Sequence, residues 1–358
     1  MWNKLRISVG AAFLISLAPL SSFAQSSCDS VLSLVSSGSL ELGTARANHP
    51  ECFPASGGGT NQQTISATSL QQISSVSNSV NARFTSSGGP SASLASLPLV
   101  GIAAGNSQKV FLWANRSLNS TTYNTSVNAF DSRTHIRNTV IGADYLVTPR
   151  IVAGLSAAFD SGDGSLRNGR AGSTDSADST GRTIAPYIGW QISPSLTLDA
   201  MAGFGNGDLV QKNAELDTKR RFFGTNLTFT KWLGNLQLSG KGSYAYATER
   251  FSDIRVNGMA PIADSATTAR LSQVRLGGQA GYWLPGGLLP YVGLAYSNDL
   301  SRSSSDAQPW DPLALVGSMG INWYGTKQGI AAGLAYTNEL RREGSHNHTL
   351  GANFNVRF

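Results

Sequence analysis

In the stretch Leu350-Gly351-Ala352-Asn353-Phe354-Asn355-Val356-Arg357-Phe358, apolar and polar side chains alternate. A period of two places the apolar side chains on one face of a β-strand, and Asn353, Asn355 and Arg357 on the other. Such a strand fits either a soluble β-sandwich or the closing strand of an outer-membrane β-barrel. The rest of the sequence decides between these two folds.

The first 24 residues have the pattern of a secretory signal peptide. Lys4 and Arg6 precede the short apolar run 9–20, and the small residues of Ser22-Phe23-Ala24 predict cleavage before Gln25. The run is too short for a spanning helix, and no later stretch has the roughly 18 consecutive apolar residues that such a helix needs. We therefore expect any passage through a membrane to use strands.

The composition favours a membrane barrel over a soluble enzyme. Only 13% of the residues are charged, whereas glycine alone accounts for 39 of the 358 residues. A water-soluble enzyme usually carries more charge. The 27 Lys and Arg residues are scattered rather than clustered, so we expect no nucleic-acid partner.

The segment 25–61 is rich in serine and glycine and carries both cysteines of the chain, Cys28 and Cys52. In an oxidising compartment this pair predicts a disulfide that closes a loop of about 25 residues and contributes roughly 3 kcal/mol. A metal or redox role is disfavoured because the two cysteines are widely spaced.

Residues 62–84 predict an amphipathic helix, followed by a linker over 85–107. Its thin apolar stripe comprises Ile65, Leu70, Ile73, Val76, Val80 and Phe84. At 1.5 Å per residue the helix is about 30 Å long, close to the thickness of a bilayer core. Because most of its surface is polar, we expect it in a polar-lined channel; a position in the periplasm is the alternative.

Residues 108–358 predict an all-β membrane protein, a twelve-stranded antiparallel transmembrane β-barrel with the N-terminal helix inside the lumen. Five tight turns, near 148–150, 193–195, 233–235, 285–287 and 325–326, alternate with six longer polar segments, near 119–133, 161–181, 211–217, 251–266, 300–309 and 342–347. Outer-membrane barrels sort their connections in this way. Lys241 and Glu249 lie at positions interleaved with an apolar face. They are expected to point inward, since a charge facing lipid at the midplane costs about 2–4 kcal/mol.

Aromatic residues collect near the two ends of the predicted strands, which indicates two interfacial girdles. Near the tight turns lie Tyr145, Trp190, Trp232, Tyr282, Trp283, Trp323 and Tyr324. Near the longer segments lie Phe159, Phe204, Phe222, Phe223, Tyr244, Tyr246, Phe251, Tyr296 and Tyr336.

These features together resemble the translocator (β) domain of the autotransporters, the type V secretion family. The resemblance implies insertion in the outer membrane of a Gram-negative-type cell, and a segment before the helix, the passenger, at the cell surface. Here that segment is short, a vestigial passenger that we expect to be exposed with the outer loops, as an adhesin. The family's self-cleavage at an Asn-Asn pair is not carried over, because Asn78 and Asn81 are separated.

The resemblance also implies an assembly signal in Phe354, Val356 and Phe358, read by the outer-membrane assembly machinery. The expected partners are that machinery, outer-membrane lipids and host surface ligands. We expect no enzymatic activity, no cofactor and no metal site.

Two alternative functions remain open at the level of sequence. The first is a plain outer-membrane channel or structural barrel. The second is a hydrolase at the outer rim that uses His135 or His346; His346 and His348 could also share a strand face and bind a metal weakly. The arginine pairs 220–221 and 341–342 are candidates for contact with anionic sugar headgroups.

Overall fold

The computed structural model describes residues 30–31, 34–35, 37–48, 58–85, 109–125, 130–168, 173–211, 214–256, 260–302, 311–325, 330–342 and 344–357. The helices are α1 (Leu42–Asn48) and α2 (Gly58–Thr85). The strands are β1 (Val110–Thr125), β2 (Phe130–Thr148), β3 (Ile151–Asn168), β4 (Ser173–Ser193), β5 (Leu196–Gln211), β6 (Ala214–Leu233), β7 (Leu236–Phe251), β8 (Arg255–Val256), β9 (Thr267–Tyr282), β10 (Leu288–Arg302), β11 (Leu313–Gly325), β12 (Ile330–Arg341) and β13 (Ser345–Arg357).

The strands form one closed antiparallel barrel. The sheet order is β5-β4-β3-β2-β1-β13-β12-β11-β10-β9-β7-β6, and a further pairing of β5 with β6 completes the ring. β8 has two residues and pairs only with the start of β6, so twelve long strands make the wall. Both the predicted fold and the predicted strand number are confirmed.

The closing seam joins the first strand to the last. β1 pairs with β13 from Phe111 opposite Arg357 to Tyr123 opposite Ser345. The alternating residues 350–357 thus close the barrel. Phe358 lies outside the described residues, so its place at the rim stays a prediction.

The connections differ at the two ends of the barrel. At the short-turn end, two-residue turns join β2 to β3, β4 to β5 and β6 to β7, and Gly234, Gly286 and Gly287 adopt positive φ values in turns at this end. At the opposite, long-loop end, the segments predicted as loops at 119–133, 161–181 and 211–217 are mostly strand, which corrects the prediction. Beyond the membrane both faces of a hairpin can be polar, so these paired strands have a loop-like composition.

The barrel has its polar residues inside and its apolar residues outside. On β3, Leu155 and Phe159 point outward and are 54% and 53% exposed, while the residues that follow each of them, Ser156 and Asp160, are buried. This alternation confirms the predicted apolar faces. Glu249 is 1% exposed and points inward. Lys241 also lines the interior, as predicted.

The aromatic prediction is correct only in part. Tyr145, Trp190, Tyr282 and Trp323 are exposed on the outward face at the short-turn end. Trp232, Trp283 and Tyr324 instead form a contiguous group of rings, with centroids 6.0 Å and 5.6 Å apart, and Tyr324 lines the lumen. At the other end Phe222 and Phe251 are buried on inward positions. Strand parity, rather than proximity to a turn, decides which face an aromatic residue joins.

The N-terminal part is described only in pieces. Residues 1–29, both cysteines and the linker 86–108 lie outside the described residues, so the signal peptide and the disulfide remain predictions. α2 begins at Gly58 and ends at Thr85, so it starts earlier than the predicted 62–84 and ends one residue later. No described helix is both long enough and apolar enough to cross a membrane.

Candidate functional site: the lumen and its helix

Helix α2 lies inside the barrel and is hydrogen-bonded to the wall. Gln72 Nε2 donates to Ser156 Oγ on β3 at 3.1 Å, and Ser77 Oγ donates to Asp199 Oδ2 on β5 at 2.9 Å. Thr183 Oγ1 on β4 donates to the side-chain oxygen of Gln72. Serine, asparagine and glutamine are poor choices for a lipid-facing helix, but they match a polar interior.

The direction of α2 follows from its contacts with β2, which runs from the long-loop end to the short-turn end. Near the long-loop side, Asn138 Nδ2 donates to the carbonyl of Thr68 at 3.3 Å. Near the short turn, Arg83 Nε lies 3.6 Å from Asp144 Oδ1. The C-terminus of α2 is therefore at the short-turn end, and its N-terminus points towards the long-loop end.

The apolar stripe of α2 packs on a wall that glycine leaves hollow. Ile73, Val76 and Val80 are at most 4% exposed. A Cβ on Gly224 would lie 2.6 Å from Ile73 Cγ2, and one on Gly189 would lie 2.4 Å from Val80 Cγ1. Such distances leave no room for a side chain, so these two glycines create the space in which the stripe docks.

The other three predicted stripe residues give less evidence about where the stripe packs. Leu70 and Phe84 are partly buried and pack against the same apolar cluster. The side chain of Ile65 lies outside the described part of the chain. The roles assigned to all six residues stay predictions, although three of them have the burial that the stripe predicts.

Arg83 anchors the C-terminal turn of α2. Its guanidinium donates to the carbonyl of Lys109 at 3.0 Å and lies 4.9 Å from the ring centroid of Phe111. Its carboxylate partner Asp144 accepts a hydrogen bond from Tyr187 Oη at 3.0 Å, and Trp113 Nε1 donates to that hydroxyl at 2.8 Å. The anchor thus connects α2 to β1, β2 and β4, and to Lys109 just before β1.

A cavity of about 400 Å³ remains between α2 and the far wall. α2 contributes small polar side chains, including Ser74, Ser75 and Asn78. The barrel wall around the cavity contributes polar residues, among which Lys241 on β7 and Arg275 on β9 are basic. The lumen is therefore plugged on one side and partly open on the other.

Buried ion pairs close the wall near the long-loop end. Arg220 lies 2.6 Å from Asp160 Oδ1 and 2.7 Å from Glu249 Oε1, with all three side chains almost fully buried. On the other side Asp299 accepts from Arg342 at 2.8 Å and from Gln273 at 2.6 Å. Arg220 joins adjacent β7 through Glu249 and reaches β3 through Asp160, so these contacts connect both neighbouring and more distant strands inside the barrel.

A family model for the autotransporter β-domain matches residues 112–335, more than half of the chain. The chain belongs to this family. An autotransporter β-domain is an outer-membrane barrel, so the short-turn end corresponds to the periplasmic side and the long-loop end to the outside. No curated protein matches the sequence.

Solved translocator domains share the fold of this autotransporter β-domain. The translocator domain of NalP from Neisseria meningitidis superposes with a TM-score of 0.57 at 12% identity, covering 75% of this chain and 96% of that one. The Bordetella BrkA β-domain gives 0.54 at 14% identity, covering 70% and 100%. The transport unit of AIDA-I from Escherichia coli gives 0.52 at 11% identity, covering 80% and 99%.

The histidines considered for chemistry lie on the outward face of the autotransporter β-domain, and the register places Ser120 between His135 and His348. His135, His346 and His348 are exposed on outward strand positions, and His348 lies 6.5 Å from the ring of Tyr336. Among the described residues, no three His, Cys, Asp or Glu side chains are grouped as metal ligands. The weak metal site considered at His346 and His348 therefore has no third ligand among the described residues.

The arginine pairs are split between the two faces, which corrects their joint assignment to headgroups. Arg220 points inward to Asp160 and Glu249, whereas Arg221 is exposed outside. Likewise Arg342 contacts Asp299 inside, and Arg341 is exposed. Adjacent residues of a strand face opposite sides, so only one member of each pair can reach the lipid.

Sequence reasoning missed the residues that hold α2. Asp144, Tyr187 and Asp199 were not singled out. The inward orientation of Asp199 could be predicted, since it alternates with the apolar residues Leu198 and Ala200. The contacts of these residues with Arg83 and Ser77 could not be predicted, because they depend on the position of α2 along the lumen.

Two of the three predicted assembly-signal residues lie on the outward face of β13, and their role stays a prediction. Phe354 is 48% exposed on the outward face of β13, and Val356 is partly exposed on the same face. Asn355 is buried, and both Asn353 and Asn355 line the lumen.

Proposed function

We propose that this autotransporter β-domain is a self-plugged outer-membrane barrel that holds its own short N-terminal segment at the cell surface. The observation that carries the proposal is the direction of α2. Its C-terminus is fixed beside the periplasmic turn by Arg83, and its N-terminus points outward. The chain that precedes α2 therefore emerges on the outer side.

Burial of the N-terminal segment supports the same arrangement. Val31, Val35 and Ala45 are at most 8% exposed and belong to the apolar cluster that includes Leu216 and Val256. The latter two residues are at the outer ends of β6 and β8. Membership of one buried cluster with the barrel wall supports retention of this segment by the barrel.

Labelling of single cysteines on intact cells tests this topology. Ser37→Cys places a thiol on an exposed residue of the segment, and the matched Asn235→Cys places one in an exposed periplasmic turn. With a membrane-impermeant maleimide, we expect Ser37→Cys to label above the unsubstituted protein, and Asn235→Cys to label only after permeabilisation. Labelling of Ser37→Cys only after permeabilisation would contradict the proposal.

Adhesion is the role we propose for the exposed segment and outer loops, with host surface ligands as partners. The proposal rests on their outward location. Cells that carry the full protein should bind host cells more than cells that carry a variant lacking residues 30–48. Equal binding, at equal amounts of folded barrel, would remove the adhesin role.

The last strand supports a proposed partnership with the outer-membrane assembly machinery. β13 forms the closing seam and carries Phe354 outward. Deletion of Phe358 should lower the amount of folded barrel in the outer membrane, measured by heat-modifiable gel migration. Unchanged amounts would exclude that residue from the signal.

A plain channel is the second candidate function, and the cavity beside α2 favours it. A space of about 400 Å³ lined by polar residues would pass water and small ions if it were continuous. Steady current through the intact protein in planar bilayers would support this function. A closed intact protein would favour the plugged barrel.

A further inference from the structure

Five basic side chains form an outward-facing group on the outer half of the barrel. This group, here called the basic patch, lies on β4, β6, β7 and β9 and comprises Arg182, Lys219, Arg221, Arg250 and Arg270. All five are exposed. None of them takes part in the described contacts that hold α2 in the lumen.

The strand register brings these residues into two adjacent rows. In the outer row, Arg182 is opposite Asn206, Asn206 is opposite Lys219, and Lys219 is opposite Arg250. In the next row Thr248 lies between Arg221 and Arg270. With strands about 4.8 Å apart and rows about 6.7 Å apart, the basic groups lie within reach of one ligand.

The basic patch directly borders the apolar belt. Arg221 is opposite Phe204, which is 61% exposed, and Phe204 is opposite Ile184, which is 46% exposed. Phe223 and Tyr246 follow one row deeper and are also exposed. The charge therefore begins where the hydrocarbon contact ends, which is the level of lipid headgroups.

In the part of the chain that the structure describes, four of the five residues of the basic patch, Arg182, Lys219, Arg221 and Arg250, are not paired with a carboxylate. Within the described ranges, no side chain of Lys219, Arg221 or Arg250 belongs to an ion pair, and Arg182 is hydrogen-bonded only to the neutral Asn206, at 3.1 Å. Asp160 and Glu249 are on the inner face and are held by Arg220. Asp208 and Asp217 lie one row further out, where Arg255 contacts Asp217 at 3.1 Å.

The opposite side of the barrel lacks this arrangement. Outward positions near the outer ends of β10, β11 and β12 carry Asn298, Leu300, Leu313, Asn338 and Leu340, with Arg341 as an exposed base. The basic patch thus has no counterpart on the described residues of β10, β11 and β12, whereas Arg133 and Arg137 on β2 are further exposed bases.

We propose that the basic patch binds the phosphate groups of a phosphorylated glycolipid of the outer leaflet. Arginine and lysine contact the phosphates, and the acyl chains lie on Ile184, Phe204 and Phe223. A lipid is the occupant because the basic and apolar surfaces are continuous, and free phosphate would use only the basic rows. Guanidinium groups suit this ligand, since they bind phosphate oxygens through two parallel hydrogen bonds.

Lipid binding to the purified full-length barrel in a non-ionic detergent tests the proposal. The patch variant combines Arg182→Gln, Lys219→Gln, Arg221→Gln and Arg250→Gln. The matched control removes the same charge from other exposed positions by Arg133→Gln, Arg137→Gln, Lys231→Gln and Arg341→Gln. A third variant, with Arg182→Lys, Arg221→Lys and Arg250→Lys, keeps the charge.

The probes are bisphosphorylated lipid A, dephosphorylated lipid A and inorganic phosphate, with binding measured by native mass spectrometry on protein that shows heat-modifiable migration. We expect the patch variant to bind bisphosphorylated lipid A roughly 1000-fold more weakly, since it removes four surface cations that contribute about 1 kcal/mol each. The control variant should stay within about threefold of the unsubstituted protein. The lysine variant keeps the charge but loses the bidentate geometry, so its affinity should fall between those of the control and patch variants.

Three outcomes would overturn the proposal. Equal loss in the patch and control variants would show a general charge effect. Equal binding of dephosphorylated lipid A would show an apolar contact only, and equal competition by inorganic phosphate would show a site for the free ion. If the four-residue variant does not fold, Arg221→Gln against Arg341→Gln makes the same comparison with one charge.

Discussion

The two sides of the lumen are built differently. The wall formed by β1 to β7 contacts α2 through direct hydrogen bonds, the anchor at Asp144 and the hollows at Gly189 and Gly224. The wall formed by β10 to β13 faces the cavity, and its inward residues include Asn322, Thr337 and Asn353. The difference shows that α2 is docked on one specific surface and does not simply fill the pore.

The largest expected effect comes from removing α2. Deletion of residues 62–84 takes the plug out of a twelve-stranded barrel, whose interior is wider than its side chains can fill. We expect single-channel conductance in planar bilayers to rise by about an order of magnitude or more. An equal conductance with and without these residues would show that α2 is not the plug in the membrane.

A second prediction concerns the anchor of α2. Asp144→Ala leaves the buried Arg83 without its carboxylate, and removal of one partner of a buried pair costs roughly 3 kcal/mol. Thermal unfolding, followed by loss of heat-modifiable migration, should occur at a lower temperature. Asn322→Ala on the cavity wall is the matched control, and we expect it to change the stability by less than about 0.5 kcal/mol. Similar losses in both variants would contradict a difference between the two walls.

The third and smallest effect tests the hollow beneath the apolar stripe. Gly224→Val should displace Ile73 and weaken docking by about 1–3 kcal/mol, since overpacking forces neighbouring groups to move. Gly351→Val is the control, because a Cβ there meets no atom closer than 3.9 Å and the residue faces the cavity. The readout is the open fraction of single-channel current, which should rise only for Gly224→Val. A rise for Gly351→Val alone would place the docking surface on the other wall.

The sequence predicted the wall of the barrel better than its contents. Period-two alternation was sufficient for the strand number, the outward faces and the inward position of Glu249. It was not sufficient for the strand ends, because residues such as Asp163 and Asp178 belong to paired strands outside the hydrophobic belt, where polarity no longer separates strand from loop. The contact between Arg83 and Asp144 depends on how far α2 extends along the lumen, which no local pattern specifies.

The even number of long strands has a consequence for the route of the chain. With twelve antiparallel strands, β1 begins and β13 ends on the same side of the membrane. In the topology proposed above, a segment that precedes β1 reaches the outer side only through the barrel interior, and α2 is the segment that spans it. An odd strand count would have delivered one terminus to the outside without this passage. Under that proposal α2 both plugs the lumen and carries the N-terminal segment across the membrane.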